Sequence, residues 1–245
     1  MRLLILFSAA CIAWGCSKSE DVNSLRIKGS NTNYNHFTES EDGNYLLLEK
    51  NELRILDASN PSSLILKDYG FDSLEIERAA GNSDTLLLQT KKRIVAIDAV
   101  NKKAVESKIP ETSICDLLVK VGDLMVVATG NTDCGSTAQP AISVYSLKDL
   151  NDIKLLSTLQ ISVPVDLATY HNNVFLAEKN GTVKVFSLSS SGVALKHEYP
   201  DAKAEELRVF PSQKRLLLKS STGMAQYEIS ANTELKLLSV INETP

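Results

Sequence analysis

Four carboxylates recur at one place in this 245-residue chain, since Glu75, Asp116, Asp166 and Glu206 each begin a short apolar segment about six residues ahead of a turn. Gathered around one opening, such a set could hold a hard cation, calcium for example, through oxygen ligands. A cation held there would in turn allow a metal-dependent hydrolase or lyase. The corresponding place in the first unit falls near Phe37 or Thr38, which leaves the ring of acids incomplete. The other use of the same residues is structural, with each carboxylate accepting hydrogen bonds from nearby turn amides. Other reactive types are scattered. His36, His171 and His197 fall at three unlike places, and no Gly-x-Ser-x-Gly, His-Glu-x-x-His, Cys-x-x-Cys or phosphate-loop pattern occurs. Catalysis therefore finds little support, and a binding role is the primary reading.

The acids depend on the elements that carry them, and those elements repeat. Apolar runs start at Leu46, Leu86, Met125, Phe175 and Leu216, with spacings of 40, 39, 50 and 41 residues. A second series starts at Leu53, Ile94, Ile142, Val183 and Met224, spaced 41, 48, 41 and 41. Both series keep one beat and stretch in the same interval, which marks a repeat architecture with one insertion. An outer segment follows in each unit near Leu64, Ala104, Ile153, Ala194 and Leu235. A preceding segment carries the acids. All are short, rich in Leu, Val and Ile, and bounded by Gly, Asn, Asp, Ser or Pro, as strands and turns are.

Four short antiparallel strands every forty-odd residues describe a β-propeller blade, because one small sheet buries its faces only by stacking against its neighbours. The expected fold is all-β, a β-propeller of five four-stranded blades over residues 25–245. Leu25-Arg26-Ile27-Lys28 is a sixth outer-strand candidate, so two closures remain open. Either this segment completes the last blade, or Leu235 to Ile241 does and the first is an added edge. A β-sandwich and a stacked β-solenoid are the competing all-β readings.

In such a blade the insertion Ala128 to Ala141 (ATGNTDCGSTAQPA) joins the second and third strands of unit three and carries Asp133 and Cys134. Cys115 starts the first strand of the same blade, on the same side. A Cys115–Cys134 disulfide is expected if the chain is exported, with two free thiols as the alternative. The candidate binding face therefore comprises Asp116, Asp133, Asp166, Glu75 and Glu206. The stretch GNYLLLEKNELRILDASNPSSLILKDYG at 43–70, with its Gly-Asn turn and its Asp57-Ala58-Ser59-Asn60-Pro61 ending, resembles the LVIVD-repeat propellers of bacterial surface proteins. Unit two keeps only Ile97-Asp98 of that ending. The chain does not resemble WD-repeat or quinone-type propellers, whose blades carry signature tryptophans, because its one Trp is Trp14.

Trp14 belongs to the N-terminal segment MRLLILFSAACIAWG, one basic residue followed by an apolar stretch too short to span a bilayer. This reads as a signal peptide over 1–15. Ala13-Trp14-Gly15-Cys16 followed by Ser-Lys-Ser-Glu resembles the lipobox of bacterial lipoproteins, although Ala13 stands where Leu is commonest and Trp14 replaces a small residue. The resemblance implies that Cys16 carries diacylglycerol and an acylated amino group, and that residues 16–24 form a polar tether. Ser17 after the anchor implies transport to an outer membrane, in either leaflet. Ordinary signal cleavage with a free Cys16 thiol is the alternative. Several acyl chains hold far more firmly than one, so the membrane is met through the lipid alone. A net charge of -4 and two short Lys/Arg clusters exclude a nucleic-acid grip. The expected partner is an envelope protein or surface ligand, and no cofactor is implied beyond the possible calcium.

Overall fold

A computed structural model describes residues 25–26, 33–34, 36–39, 44–49, 52–57, 65–70, 76–82, 84–90, 93–101, 103–105, 116–131, 136 and 138–242. The signal and tether, Glu75, Cys115, Asp133 and Cys134 lie outside the described residues.

The described residues form one two-stranded hairpin and five four-stranded antiparallel sheets. The hairpin pairs β1 (Leu25–Arg26) with β2 (Asn33–Tyr34). Blade one contains β3 (His36–Glu39), β4 (Tyr45–Glu49), β5 (Glu52–Asp57) and β6 (Ile65–Gly70). Blade two contains β7 (Ile76–Gly81), β8 (Thr85–Thr90), β9 (Ile94–Asp98) and β10 (Lys103–Val105). Blade three has β11 (Leu117–Val121), β12 (Leu124–Thr129), β13 (Ala141–Ser146) and β14 (Lys154–Gln160). Blade four has β15 (Pro164–Tyr170), β16 (Asn173–Glu178), β17 (Val183–Ser189) and β18 (Gly192–Tyr199). Blade five has β19 (Glu206–Phe210), β20 (Arg215–Ser220), β21 (Gly223–Ile229) and β22 (Leu235–Asn242). Strands pair in chain order within every blade. The expected all-β propeller of five four-stranded blades is thus the observed architecture.

Of the two candidates for completing the last blade, the second is found, while among the described residues no strand pair or core cluster joins blade five to blade one. β22 completes the last blade along its whole length, Leu235 to Asn242 against Ile229 to Gly223. Leu25 pairs instead with Tyr34. The eight-residue strand continues an existing ladder, whereas the two-residue β1 forms only a local hairpin.

Stacking follows from the apolar runs. A continuous apolar segment suits a strand covered on both faces. Leu46 to Leu48, Leu86 to Leu88, Met125 to Ala128 and Val174 to Ala177 are all at most 3% exposed. Alternate residues of the runs in blades two to four serve the two neighbouring interfaces. Leu86 and Leu88 pack with Leu46 and Leu48, while Leu87 joins Met125 and Val127. Val126 and Ala128 meet Val174 and Leu176, and Phe175 and Ala177 meet Leu216 and Leu218. Each fully buried Leu or Phe contributes roughly 1.5–3 kcal/mol.

The tight turns also obey backbone sterics. Gly122 in the β11–β12 turn has φ +54°, a region costly for residues bearing Cβ. In the equivalent turn of blade four the positive φ, +50°, belongs to His171, whose ring packs on Tyr170 at 4.3 Å.

Candidate binding face

At one end of the blades, here called the upper face, first and third strands begin and second strands end. Of the expected acids, Asp116, Asp166 and Glu206 lie at this end. Asp166 pairs in register with Ala177, a residue directed at blade five, and its carboxylate crosses the interface. Its Oδ2 accepts the Leu207 backbone N–H at 2.7 Å and an Arg208 Nη1 hydrogen at 3.3 Å, and its Oδ1 accepts the Leu167 N–H at 2.9 Å. Burial holds the Asp166 carboxyl above the usual range, outweighing the opposing pull of the Leu207 amide, Arg208 and the Leu167 amide. Asp166 therefore fastens the first strands of blades four and five together.

Glu206 occupies the same register in blade five, opposite Lys219. Its Oε1 accepts from Lys219 Nζ at 2.7 Å, and its Oε2 lies 4.0 Å from Arg208. Arg208 thus stands between Asp166 and Glu206. In blade three the matching register belongs to Leu117, paired with Ala128, and Asp116 precedes the strand by one residue. Because a one-residue slip turns a side chain to the other face, Asp116 is not the structural equivalent of Asp166 that its spacing implied. Asp116 is 3% exposed, and its backbone carbonyl accepts from Gln89 Nε2 of blade two at 3.0 Å. Asp166 and Glu206 are brought together around a guanidinium, and Asp116 belongs to a different interface. Among the described residues, no three His, Cys, Asp or Glu side chains converge as metal ligands.

Spacing missed the most buried charge on this face. Glu178, at the end of β16, is 0% exposed and accepts from Lys184 Nζ at 2.9 Å and the Ser162 N–H at 2.8 Å. In sequence it reads as part of the polar turn Glu178-Lys179-Asn180. That turn is tight, closed by Gly181 N–H to the Glu178 carbonyl and by Thr182 N–H to Asn180 Oδ1.

Blade three replaces the tight turn with its insertion. Gly130 has φ +89°, and a Cβ there would lie 2.5 Å from Pro140 Cα. The two ends of the loop are therefore pinched into a neck, as in compact surface loops whose ends lie close. Thr129 Oγ1 reaches the Gln139 and Ala141 carbonyls, each at 3.5 Å, and Ser136 N–H reaches Asn131 at 3.3 Å. The start of β11, next to Cys115, adjoins this neck through the Leu117–Ala128 pair.

The opposite face holds a cleft of about 240 Å³ between blades three and four, lined by Asp123, Ser146, Lys148, Asn172, Leu188 and Ser189 among others. It falls below the roughly 300–1,000 Å³ of most small-ligand sites.

Asp166→Ala leaves the buried Leu207 N–H without its acceptor and is expected to cost about 1–3 kcal/mol. Asp166→Asn keeps an acceptor and should cost less. Because folding raises this carboxyl's affinity for its proton, the group's contribution is largest below the ordinary carboxylate pKa and falls as pH rises through the native value. Asp166→Asn should remove that decline, as read by urea denaturation across mildly acidic pH. Identical pH profiles for wild type and Asp166→Asn would refute the assignment.

No protein-family model matches the chain, and no curated protein matches it in sequence. Solved structures do match in shape. A functionally unknown protein from Desulfotomaculum acetoxidans aligns with TM-score 0.62 and 7% identity over 92% of this chain and 75% of its own. Hsv2p of Kluyveromyces lactis aligns with TM-score 0.58 and 11% identity over 84% and 62%. A chain of the mitotic checkpoint complex gives TM-score 0.56 and 12% identity over 89% and 67%. This chain thus spans about two thirds of the length of the latter two. At such identities the likeness is one of fold, and the fold is the β-propeller.

Proposed function

We propose that this chain is a lipid-anchored envelope protein whose propeller acts as a non-catalytic binding platform, with the upper face of blade three as its contact surface. The observation that carries this reading is the insertion loop. One blade departs from the tight turn used by blade four, and it does so through a necked loop on the face where the first strands begin. Loops held by a rigid scaffold are the usual carriers of recognition. The similarity to a chain from a multiprotein checkpoint assembly is consistent with a propeller that serves as a docking body.

The finer parts of the proposal rest on the sequence. Cys16 is the lipidated residue, the bacterial outer membrane is the site of attachment, and the blades are of the LVIVD-repeat kind. A Cys115–Cys134 disulfide ties the loop to the start of β11. The rival hydrolase or lyase needs free carboxylates at the channel mouth, whereas Asp166 and Glu206 are already engaged by Arg208 and Lys219.

The test is affinity capture from envelope membranes with the intact chain and with residues 131–139 deleted. A partner retained by the intact chain and lost on deletion is expected, and equal capture by both would refute the loop as contact surface. In parallel, Cys16→Ser should move the protein from the membrane to the soluble fraction, and unchanged membrane retention would refute the anchor.

A further inference from the structure

The outer strands are the edges of the blades, and β22 differs from β14 and β18 in the apolar surface it exposes. An edge strand offers unpaired backbone groups to other chains, and proteins blunt this hazard with charge. β18 carries Lys196, His197 and Glu198 and one large exposed apolar residue, Leu195. β14 carries a single charge, Lys154, but exposes only Leu155 among its large apolar residues. β22 carries a single charge, Lys236, and exposes Leu237 (51%), Leu238 (41%), Val240 (55%) and Ile241 (62%).

A register shift shared by β14, β18 and β22 has a particular result in β22, where both residues it brings onto one face are apolar, against Leu155 with Thr158 in β14 and Leu195 with Glu198 in β18. Tyr227 pairs with Leu237 and Gln226 with Ser239, so Leu238 is taken up by a bulge. Ala225 pairs with Val240, which puts Leu237 and Val240 on the same face although they are three residues apart. In a regular strand they would point to opposite faces.

We infer that β22 is a self-association edge that pairs antiparallel with β22 of a second copy, about a two-fold axis between Leu238 and Ser239. A two-fold pair requires partnered residues to share a face, and the bulge meets this condition. Leu237 then opposes Val240 of the second copy, and the reciprocal pair completes an apolar cluster of four side chains. Lys236 opposes Ile241, so its charge meets no like charge and its stem covers an apolar neighbour. Two blades become one continuous eight-stranded sheet. The occupant is a second copy because the edge is complementary to itself in this register.

The experiment is analytical ultracentrifugation of the full chain in non-ionic detergent over a wide concentration range. A concentration-dependent monomer–dimer equilibrium is expected. Val240→Lys should weaken it by about tenfold or more, since it disrupts both symmetric apolar pairs. Leu195→Lys, at an equally exposed site on β18, should leave it unchanged, and circular dichroism establishes that both variants fold. A monomer at every concentration would overturn the inference, as would a dimer that Val240→Lys leaves intact. A chain that stays monomeric while the β22 amides gain hydrogen-exchange protection in envelope extract would assign the edge to a foreign strand, also overturning it.

Discussion

Lys184→Met is expected to destabilise the fold by about 3–5 kcal/mol, the usual result of removing one partner from a buried ion pair. The size follows from where the pair sits. Glu178 has no exposure and Lys184 only 16%, whereas an exposed pair would be worth about 1 kcal/mol or less. Glu178 Oε1 already accepts from Lys184 and Ser162, and its Oε2 is buried with no protein partner. Without the ammonium, the carboxylate must stay ionised unpaired or take up a proton, and either is costly.

Glu178→Gln should cost less, because an amide oxygen can still accept the Ser162 N–H and the long Lys184 stem can carry its charge toward solvent. The double variant Glu178→Gln/Lys184→Met should then be more stable than Lys184→Met alone. Urea denaturation of the four proteins measures the coupling directly. A Lys184→Met cost below about 1 kcal/mol would show that the pair behaves as a surface contact.

The blades could be read from the sequence because a strand buried on both faces must be apolar at successive positions, and that demand recurs with each blade. Leu86-Leu87-Leu88 and Val174 to Ala177 announce themselves in this way. The insertion was equally visible as a stretched interval, since adding residues to a turn displaces every later strand. The acids were harder. Distance to the next turn locates a residue only to within about one position, while the face it occupies changes with each position. Leu117 rather than Asp116 therefore matches Asp166 and Glu206 in register. The Glu178–Lys184 pair was hidden for another reason. Its members are six residues apart on different strands, and nothing in a turn-like Glu-Lys-Asn segment distinguishes a buried carboxylate from a solvated one.

Phe175→Ala and Leu217→Ala together test how differently the two sides of blade five are packed. The two residues sit in the middle of the second strands of blades four and five, opposite Ala168 and Arg208 respectively. Phe175 is fully buried against Leu216 and Leu218 of blade five. Removing its ring opens a cavity in a closed interface, and a loss of about 3–5 kcal/mol is expected. Leu217 points to the other side of blade five and is only partly buried. Its cross-strand neighbours are Arg208 and Gln226, and the row beside it is Glu206, Lys219, Met224 and Ile241. Met224 and Ile241 of that row are 36% and 62% exposed, so this side of blade five meets solvent. Leu217→Ala should therefore cost roughly 1 kcal/mol, since a truncated side chain with solvent beside it leaves no sealed void. Chemical denaturation of the two variants reads the difference. If Leu217→Ala proves as costly as Phe175→Ala, the outer side of blade five is packed as tightly as its interface with blade four, and the row beside Leu217 must be read as a covered interface rather than a solvated side.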